Sequence, residues 1–318
     1  MRTLVTGGLG FIGSQVASCM EQINDTVIVD SKTNYNFHNT ETMRQLHDHR
    51  GMILSSPILE ADLSDPIACK EVMLKIKPER IIHLAAYPNQ KLVAKNPQHA
   101  SALMSEALIN MIEWSRHNCK KFVYVSSSMV YGNFKDRVKE TAPCNPIGLY
   151  GTLKLAGENI VSDYARQGYF NHVIIRPSAV YGPTDTNDRV VAKFIMSAMQ
   201  DQKLHVRGAE EILDFTYVKD LAEGIAQATT GDCKYSVYNM TRCQKHRVNL
   251  EQAANTIIDV VGSGHYMCED RDDSMPMRGR LNCDRARNDL GYNPKTDFAQ
   301  GIEQYHHWLK INDSIYRS

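Results

Sequence analysis

The chain has 318 residues, enough for two domains or one large domain with an appendage, and enough to bury a sizeable core. Its 36 basic and 36 acidic residues cancel, which removes the electrostatic case for nucleic acid or an anionic membrane as a partner. No apolar run approaches the roughly 18 to 20 residues of a membrane span, and the start from Met1 to Thr6 has no room for a secretory leader, so a cytoplasmic location is expected.

The eight cysteines, at 19, 69, 119, 144, 233, 243, 268 and 283, never lie closer than ten apart, so reduced and mostly buried thiols are expected. The twelve histidines give no ligand pair at helical spacing, and no metal is expected.

In chain order, a short apolar run over 2–6 leads into Gly7, Gly10 and Gly13, followed by a helical pattern to about Gln22. Glycines at this spacing let the chain turn sharply out of a strand, let backbone approach a pyrophosphate at the helix N-terminus, and let helix and strand pack closely. The next strand, 26–29, ends in Asp30, 17 residues after Gly13. A carboxylate there accepts from the ribose hydroxyls and repels a 2′-phosphate, which favours NAD over NADP.

Residues 31–56 are polar, with a helix expected over 43–49. A strand over 58–61 meets Asp62-Leu63, and Pro66 starts a helix. Asp62 can receive an adenine amino group or cap that helix. The strand over 80–86 ends in Ala85-Ala86, small enough to leave room for a cofactor, while His83 reads as a packed core histidine.

A helix over 98–117 is followed by a strand over 121–125, the run Ser126-Ser127-Ser128-Met129-Val130-Tyr131-Gly132, and a helix carrying Tyr150 and Lys154. Four residues make about one helical turn, so phenol and ammonium share a face. Bringing a phenol from about 10 to about 7 takes about 4 kcal/mol of preferential phenolate stabilisation. A lysine charge can supply part of that, and an oxidised nicotinamide more.

The strand over 172–176 completes a regular alternation of strands and helices, the pattern of an α/β, Rossmann-type doubly wound parallel sheet with ligands at its carboxyl edge. From Pro177 the rhythm breaks into shorter elements: helices over 190–202, 251–262, 284–291 and 298–309, and strands over 204–206 and 212–218. The expected division is a cofactor-binding domain, 1–176, and a smaller mixed α/β substrate-binding lobe, 177–318. The segment about 212–240 is expected to return to the first domain.

Several stretches together resemble one family. They are Thr6–Gly13, Asp62-Leu63, His83–Ala86, Ser126–Gly132, Tyr150–Lys154, Arg176–Pro183, Asp214–Asp220 and Leu290–Pro294. The chain resembles the extended short-chain dehydrogenases/reductases, and within them the NAD-dependent nucleotide-sugar epimerases and dehydratases. The resemblance implies that Tyr150 takes the proton from a sugar hydroxyl as hydride leaves the same carbon. It implies that Lys154 holds the nicotinamide ribose and stabilises the tyrosinate, and that Ser127, rather than Ser126 or Ser128, bonds the reacting oxygen.

The implied cofactor contacts are Gly7, Gly10, Phe11, Ile12, Gly13, Asp30, Asp62, Leu63, Leu84, Ala85, Ala86, Tyr150, Lys154 and Pro177. The implied substrate contacts are Ser128, Ser178, Arg189, Arg207 and Arg271, with Arg278 and Arg280 as further candidates. A homodimer paired through the helices 98–117 and 149–167 is also implied.

The chain departs from the family in instructive places. Dehydratases carry an acidic pair where this chain has Ser128 and Met129, so dehydration is disfavoured. Ala179 replaces an asparagine that contacts the diphosphate, Leu213 an arginine, and Met104 another asparagine. The expected function is an NAD-dependent epimerase of a nucleotide-activated sugar, acting by transient oxidation, at C4, and hydride return. The alternatives are an NAD(H)-dependent 4-keto-sugar reductase or sugar dehydrogenase, and a cofactor-binding protein without catalysis.

Overall fold

A computed structural model describes residues 1–35, 40–185, 189–243, 247–273 and 275–312. The first half runs β1 (Thr3–Thr6), α1 (Phe11–Glu21), β2 (Thr26–Asp30), α2 (Thr40–Met52), β3 (Ile58–Glu60), α3 (Pro66–Ile76), β4 (Arg80–His83), α4 (Gln90–Lys95), α5 (Pro97–Ser115), β5 (Lys121–Val125), a 3₁₀ turn (Ser128–Tyr131), α6 (Leu149–Arg166) and β6 (Asn171–Pro177). The second runs β7 (Val180–Tyr181), α7 (Val190–Met199), β8 (Lys203–Arg207), β9 (Thr216–Tyr217), α8 (Val218–Thr230), β10 (Val237–Met240), α9 (Leu250–Val261), β11 (His265–Glu269), α10 (Asp284–Leu290) and α11 (Phe298–Ile311).

Seven strands pair in the order β10-β6-β5-β4-β1-β2-β3, and every pairing is parallel. The chain leaves β1 for β2 on one side and reaches β4 on the other, so a crevice opens at their carboxyl ends. β1 pairs with β4 from Thr3↔Arg80 to Thr6↔His83. That register sets His83 beside Thr6, whose hydroxyl lies 3.0 Å from His83 Nδ1, and the ring is buried as a packed core histidine.

Parallel strands are covered on both faces, which is why they read as continuous apolar runs. Val5, Ile28, Ile82, Val123 and Ile175 share one core with α1 and α8. Leu4, Val29, Ile81, Phe122 and Ile174 share the other with α3, α5 and α6. Side chains of successive strand residues point to opposite faces, so one strand feeds both cores. A third core joins Phe194, Leu204, Phe215, Ile257, Phe298 and Leu309 from the second half of the chain.

Some elements differ from the sequence reading. The strand expected over 212–218 is only Thr216–Tyr217, paired with β7, while Ile212 bridges Asn249. α8 then packs on α1, and β10 adds to the sheet beside β6. α4, β10 and β11 were not anticipated, because their short runs carry little periodicity of their own.

The expectation of reduced thiols is corrected at one pair: Cys243 and Cys283, 40 residues apart, form a disulfide. Folding, not spacing, brings them together. Of the other cysteines only Cys69 and Cys119 are fully buried, whereas Cys268 is exposed.

The surplus apolar residues of α5 are mostly turned inward. Leu103, Met104, Leu108, Met111 and Ile112 are buried, and on α5 and α6 Ile109 is the one large apolar side chain left exposed. Among the described residues no helix is long and apolar enough to cross a membrane.

Candidate active site

A cavity of about 860 Å³ opens at the carboxyl edge of the sheet. Its wall brings together Gly7, Gly10, Phe11, Ile12, Gly13, Leu84, Ala86, Ser127, Ser128, Tyr150, Lys154 and Pro177, and on the far side Ser178, Arg189, Arg207 and Arg271. Asp30, Asp62, Leu63 and Ala85 lie outside that wall. Leu63 is buried in the core under α3. Asp62 accepts from the amide and hydroxyl of Ser64, and the helix cap is Asp65, which accepts from Ile67 N at 2.8 Å. Ala85 N donates to Thr6 Oγ1 at 3.3 Å, beneath the loop.

The glycine loop has the shape a pyrophosphate requires. A Cβ on Gly13 would sit 2.0 Å from Gly7 O, so only glycine lets the loop close on the first turn of α1. That turn carries no acidic residue, and Gly10 caps it without a side chain, leaving its N–H groups for an anion. Asp30, at the end of β2, accepts from Leu9 N at 2.9 Å and Lys32 N at 2.8 Å, which braces the loop and points the carboxylate along the edge where a ribose would lie. These residues fit a dinucleotide.

The three serines have separate duties. Ser126 is buried and donates to Glu158 Oε1 at 2.5 Å. Ser127 accepts from Met129 N at 3.2 Å, capping the 3₁₀ turn, and its hydroxyl sits close enough to the Tyr150 phenol to favour its phenolate. Ser128 is buried at the cavity wall. Ser178 is buried there too, and its Oγ has no hydrogen-bond partner among the described residues.

Lys154 Nζ donates to Val125 O at 2.8 Å and lies 5.2 Å from the centre of the Tyr124 ring. Burial pulls its ammonium down to about 8, against the pull of Glu158. Burial also pushes the Tyr150 phenol above its usual value, and the groups that oppose it are Arg189 and Ser127. In the free protein the Lys154 ammonium is directed to Val125 O.

The guanidinium groups sort by what they already hold. Arg189 lies over Phe11 and donates to Pro88 O at 3.1 Å and to Asp185 at 3.5 Å. Arg207 pairs with Glu269 at 2.9 Å. Arg271 holds Glu211 at 2.9 Å, Asp273 at 3.1 Å and Met275 O at 2.8 Å. Arg280 is turned away, to Asp136 at 2.9 and 2.6 Å.

Arg278 differs from all of these. Its segment is zipped to the loop after β5 by Phe134 N donating to Met277 O at 3.0 Å and Val138 N to Arg280 O at 3.2 Å. Alternation along the zipper turns Arg278 into the cavity, where its Nε is buried without a hydrogen-bond partner. Burial pulls that guanidinium down to about 10, against the pull of Glu211.

Sequence reasoning missed Glu158 and Arg50. Glu158 follows Lys154 by four and shares its face, which is readable from helical spacing. Arg50 donates to Leu9 O at 3.0 Å and Thr184 O at 2.6 Å, tying the glycine loop to the segment after β7, and nothing local to its polar helix announces that.

A phosphate-ready helix start, a strand-end carboxylate, and a serine, a tyrosine and a buried lysine on one cavity wall define a dinucleotide-dependent redox protein of the doubly wound class. Family comparison makes this specific: the chain belongs to the NAD dependent epimerase/dehydratase family, whose model matches residues 3–240, and NAD is its cofactor. It is similar, at 26% identity over 328 residues, to a dTDP-D-glucose 4,6-dehydratase of Bos taurus, spanning 98% of this chain and 89% of that protein. It is also 26% identical over 341 residues to UDP-glucuronate 4-epimerase 1 of Arabidopsis thaliana, spanning 96% of this chain and 76% of that protein. Among solved structures, the UDP-glucuronic acid 4-epimerase of Bacillus cereus, in complex with UDP-glucuronic acid and NAD, superposes with a TM-score of 0.87. That match covers 98% of this chain and 99% of the other at 22% identity, a likeness of fold.

Proposed function

We propose that this chain is an NAD-dependent epimerase of a nucleotide-activated sugar, oxidising a ring carbon, C4, and restoring its hydrogen from the other face. The observation that carries the reading is that Ser127, Tyr150 and Lys154 stand together on the wall of the cavity that the glycine loop also lines. When bound, NAD supplies the hydride acceptor and donor. Tyr150 receives the hydroxyl proton and later returns it, while Ser127 donates a hydrogen bond to the sugar oxygen as its charge develops. Lys154 would hold the nicotinamide ribose, and its charge together with that of the oxidised ring favours the phenolate that the free protein disfavours.

Loss of water from C5 and C6 requires an acid and a base near the serine run. Among the described residues, the acidic ones on the cavity wall, Glu211 and Asp272, stand in the far lobe, and Ser128 and Met129 fill the positions beside Ser127. Glu211 is already paired with Arg271. These facts support epimerisation over dehydration, although dehydratases stand among the relatives.

On this reading residues 1–176 and the returning 212–240 carry the cofactor, and the rest of 177–318 the sugar nucleotide. Ala179 and Leu213 leave the diphosphate without two family contacts, and Arg278, uncommitted and facing the cavity, takes that place. The test is incubation with a panel of nucleotide sugars and a trace of NAD, with products read by NMR and mass spectrometry. Inversion at one carbon without net NADH is expected. Stoichiometric NADH would favour a dehydrogenase, and a 4-keto-6-deoxy product would overturn the exclusion of dehydration.

A further inference from the structure

Three consecutive residues at the end of β5 dock onto one face of α6. Val125 O accepts from Lys154, Ser126 donates to Glu158, and Ser127 stands with Tyr150 on the cavity wall. Tyr150, Lys154 and Glu158 are four residues apart, so they form a single stripe. The helix comes this close because position 157 is glycine: a Cβ there would lie 2.2 Å from the Tyr124 hydroxyl oxygen.

Glu158 is 4% exposed, yet both its oxygens are satisfied. Besides the Ser126 hydroxyl, Oε1 accepts from Arg176 Nε at 2.9 Å, and Oε2 accepts from Arg176 Nη2 at 2.6 Å. Arg176 Nη1 donates to Tyr131 Oη at 2.9 Å, the guanidinium lies 4.8 Å from that ring's centre, and the tyrosine donates to Asn239 Oδ1 at 2.8 Å. Burying an ion pair costs several kcal/mol in desolvation unless its hydrogen bonds are complete, and here they are. Neither Glu158 nor Arg176 lines the cavity, so neither touches substrate.

We propose that Glu158, clamped by Arg176, is a positioning residue for the reaction: through Ser126 it fixes the register in which Ser127 stands beside Tyr150, and it sets a negative charge one helical turn from Lys154. The inference rests on the epimerase reading only for its kinetic assay. The other groups that face Lys154 are His83 of β4, held neutral because burial pulls its ring down to about 3, Tyr124 of β5, and Tyr150 on α6 itself. Glu158 is thus the negative charge in that set.

The experiment uses the NAD-loaded protein and three variants. Ser126→Ala removes one hydrogen bond and buries no new charge. Its kcat should fall about tenfold with KM and bound NAD unchanged, since a small misplacement at the reacting centre is costly. Ser126→Thr, which keeps the hydroxyl, should recover most of the rate. Glu158→Gln should move the alkaline limb of kcat about one pH unit lower, because Lys154 then loses its proton sooner. Without substrate, the difference titration of the Tyr150 phenol, measured against Tyr150→Phe, should move to higher pH in Ser126→Ala.

A Ser126→Ala variant with wild-type kcat and an unmoved Tyr150 titration would overturn the inference, even if Glu158→Gln failed to fold. If the wild type proves inactive on every nucleotide sugar, the epimerase reading fails, while the titration still decides this one.

Discussion

Replacing Arg278 with methionine separates binding from chemistry and from stability. The guanidinium faces the cavity with its Nε unpartnered, and burial has already pulled it down to about 10. A charged hydrogen bond to a phosphate is worth about 1.5–3 kcal/mol. Losing it should raise KM roughly 10- to 150-fold and leave kcat within a few-fold, because the contact exists in ground state and transition state alike. The free protein should not suffer: an unpaired, half-buried cation is removed, so Tm should stay level or rise. Arg271→Met is the contrast. It abandons Glu211, Asp273 and Met275 O, and should lower Tm whatever it does to KM. Initial rates across substrate concentration and calorimetric scans of both variants supply the measurements. If Arg278→Met leaves KM unchanged, or loses as much Tm as Arg271→Met, the assignment of Arg278 to the diphosphate is wrong.

Tyr150→Phe should lower kcat about 100- to 10,000-fold while bound NAD and Tm hold steady, and a rate near wild type would remove the tyrosine from proton transfer. Lys154 is held at about 8, below the about 10.4 of an unfolded lysine. For a depressed value, the stabilising contribution is complete above about 10.4 and lost as pH falls through the folded value. Lys154→Met should therefore be most stable relative to wild type near neutral pH, and the gap should shrink by about 3 kcal/mol toward about pH 10.4. Urea unfolding of both proteins across that range checks the sign, and a gap that widens would refute it. Ala179 has φ +40°, left-handed backbone that costs an alanine about 1–2 kcal/mol and an asparagine less. Ala179→Asn should raise Tm by roughly 1–3 °C; a lower Tm would mean the cavity wall cannot take the longer side chain.

Much of the fold was legible because parallel strands and amphipathic helices write their periods locally. Thr3–Thr6 is fully buried on both faces and reads as an unbroken apolar run, and the glycines after it read as a tight turn because no Cβ fits at Gly13. Asp30 and the Tyr150–Lys154 pair are weak signals singly, and the class of chemistry was readable only from their combination with the glycine loop, the serine run and the family resemblance. β10 was not, because its four residues, Asn239 among them, join the sheet only through pairing with β6, 63 residues away in register.

Within the site the division is sharper. Helical spacing determined that Tyr150, Lys154 and Glu158 share a face, since 3.6 residues complete about one turn. The docking of the β5 end on α6 sent the Ser126 hydroxyl to Glu158 and the lysine ammonium to Val125 O. Likewise, five arginines look alike in one dimension, and only the zipper between 133–138 and 277–282 decided that Arg278 faces the cavity with its Nε unpartnered. Local spacing sets which side chains travel together, and tertiary register sets what they meet, because a hydrogen bond needs its partner within about 3 Å and that partner comes from another element.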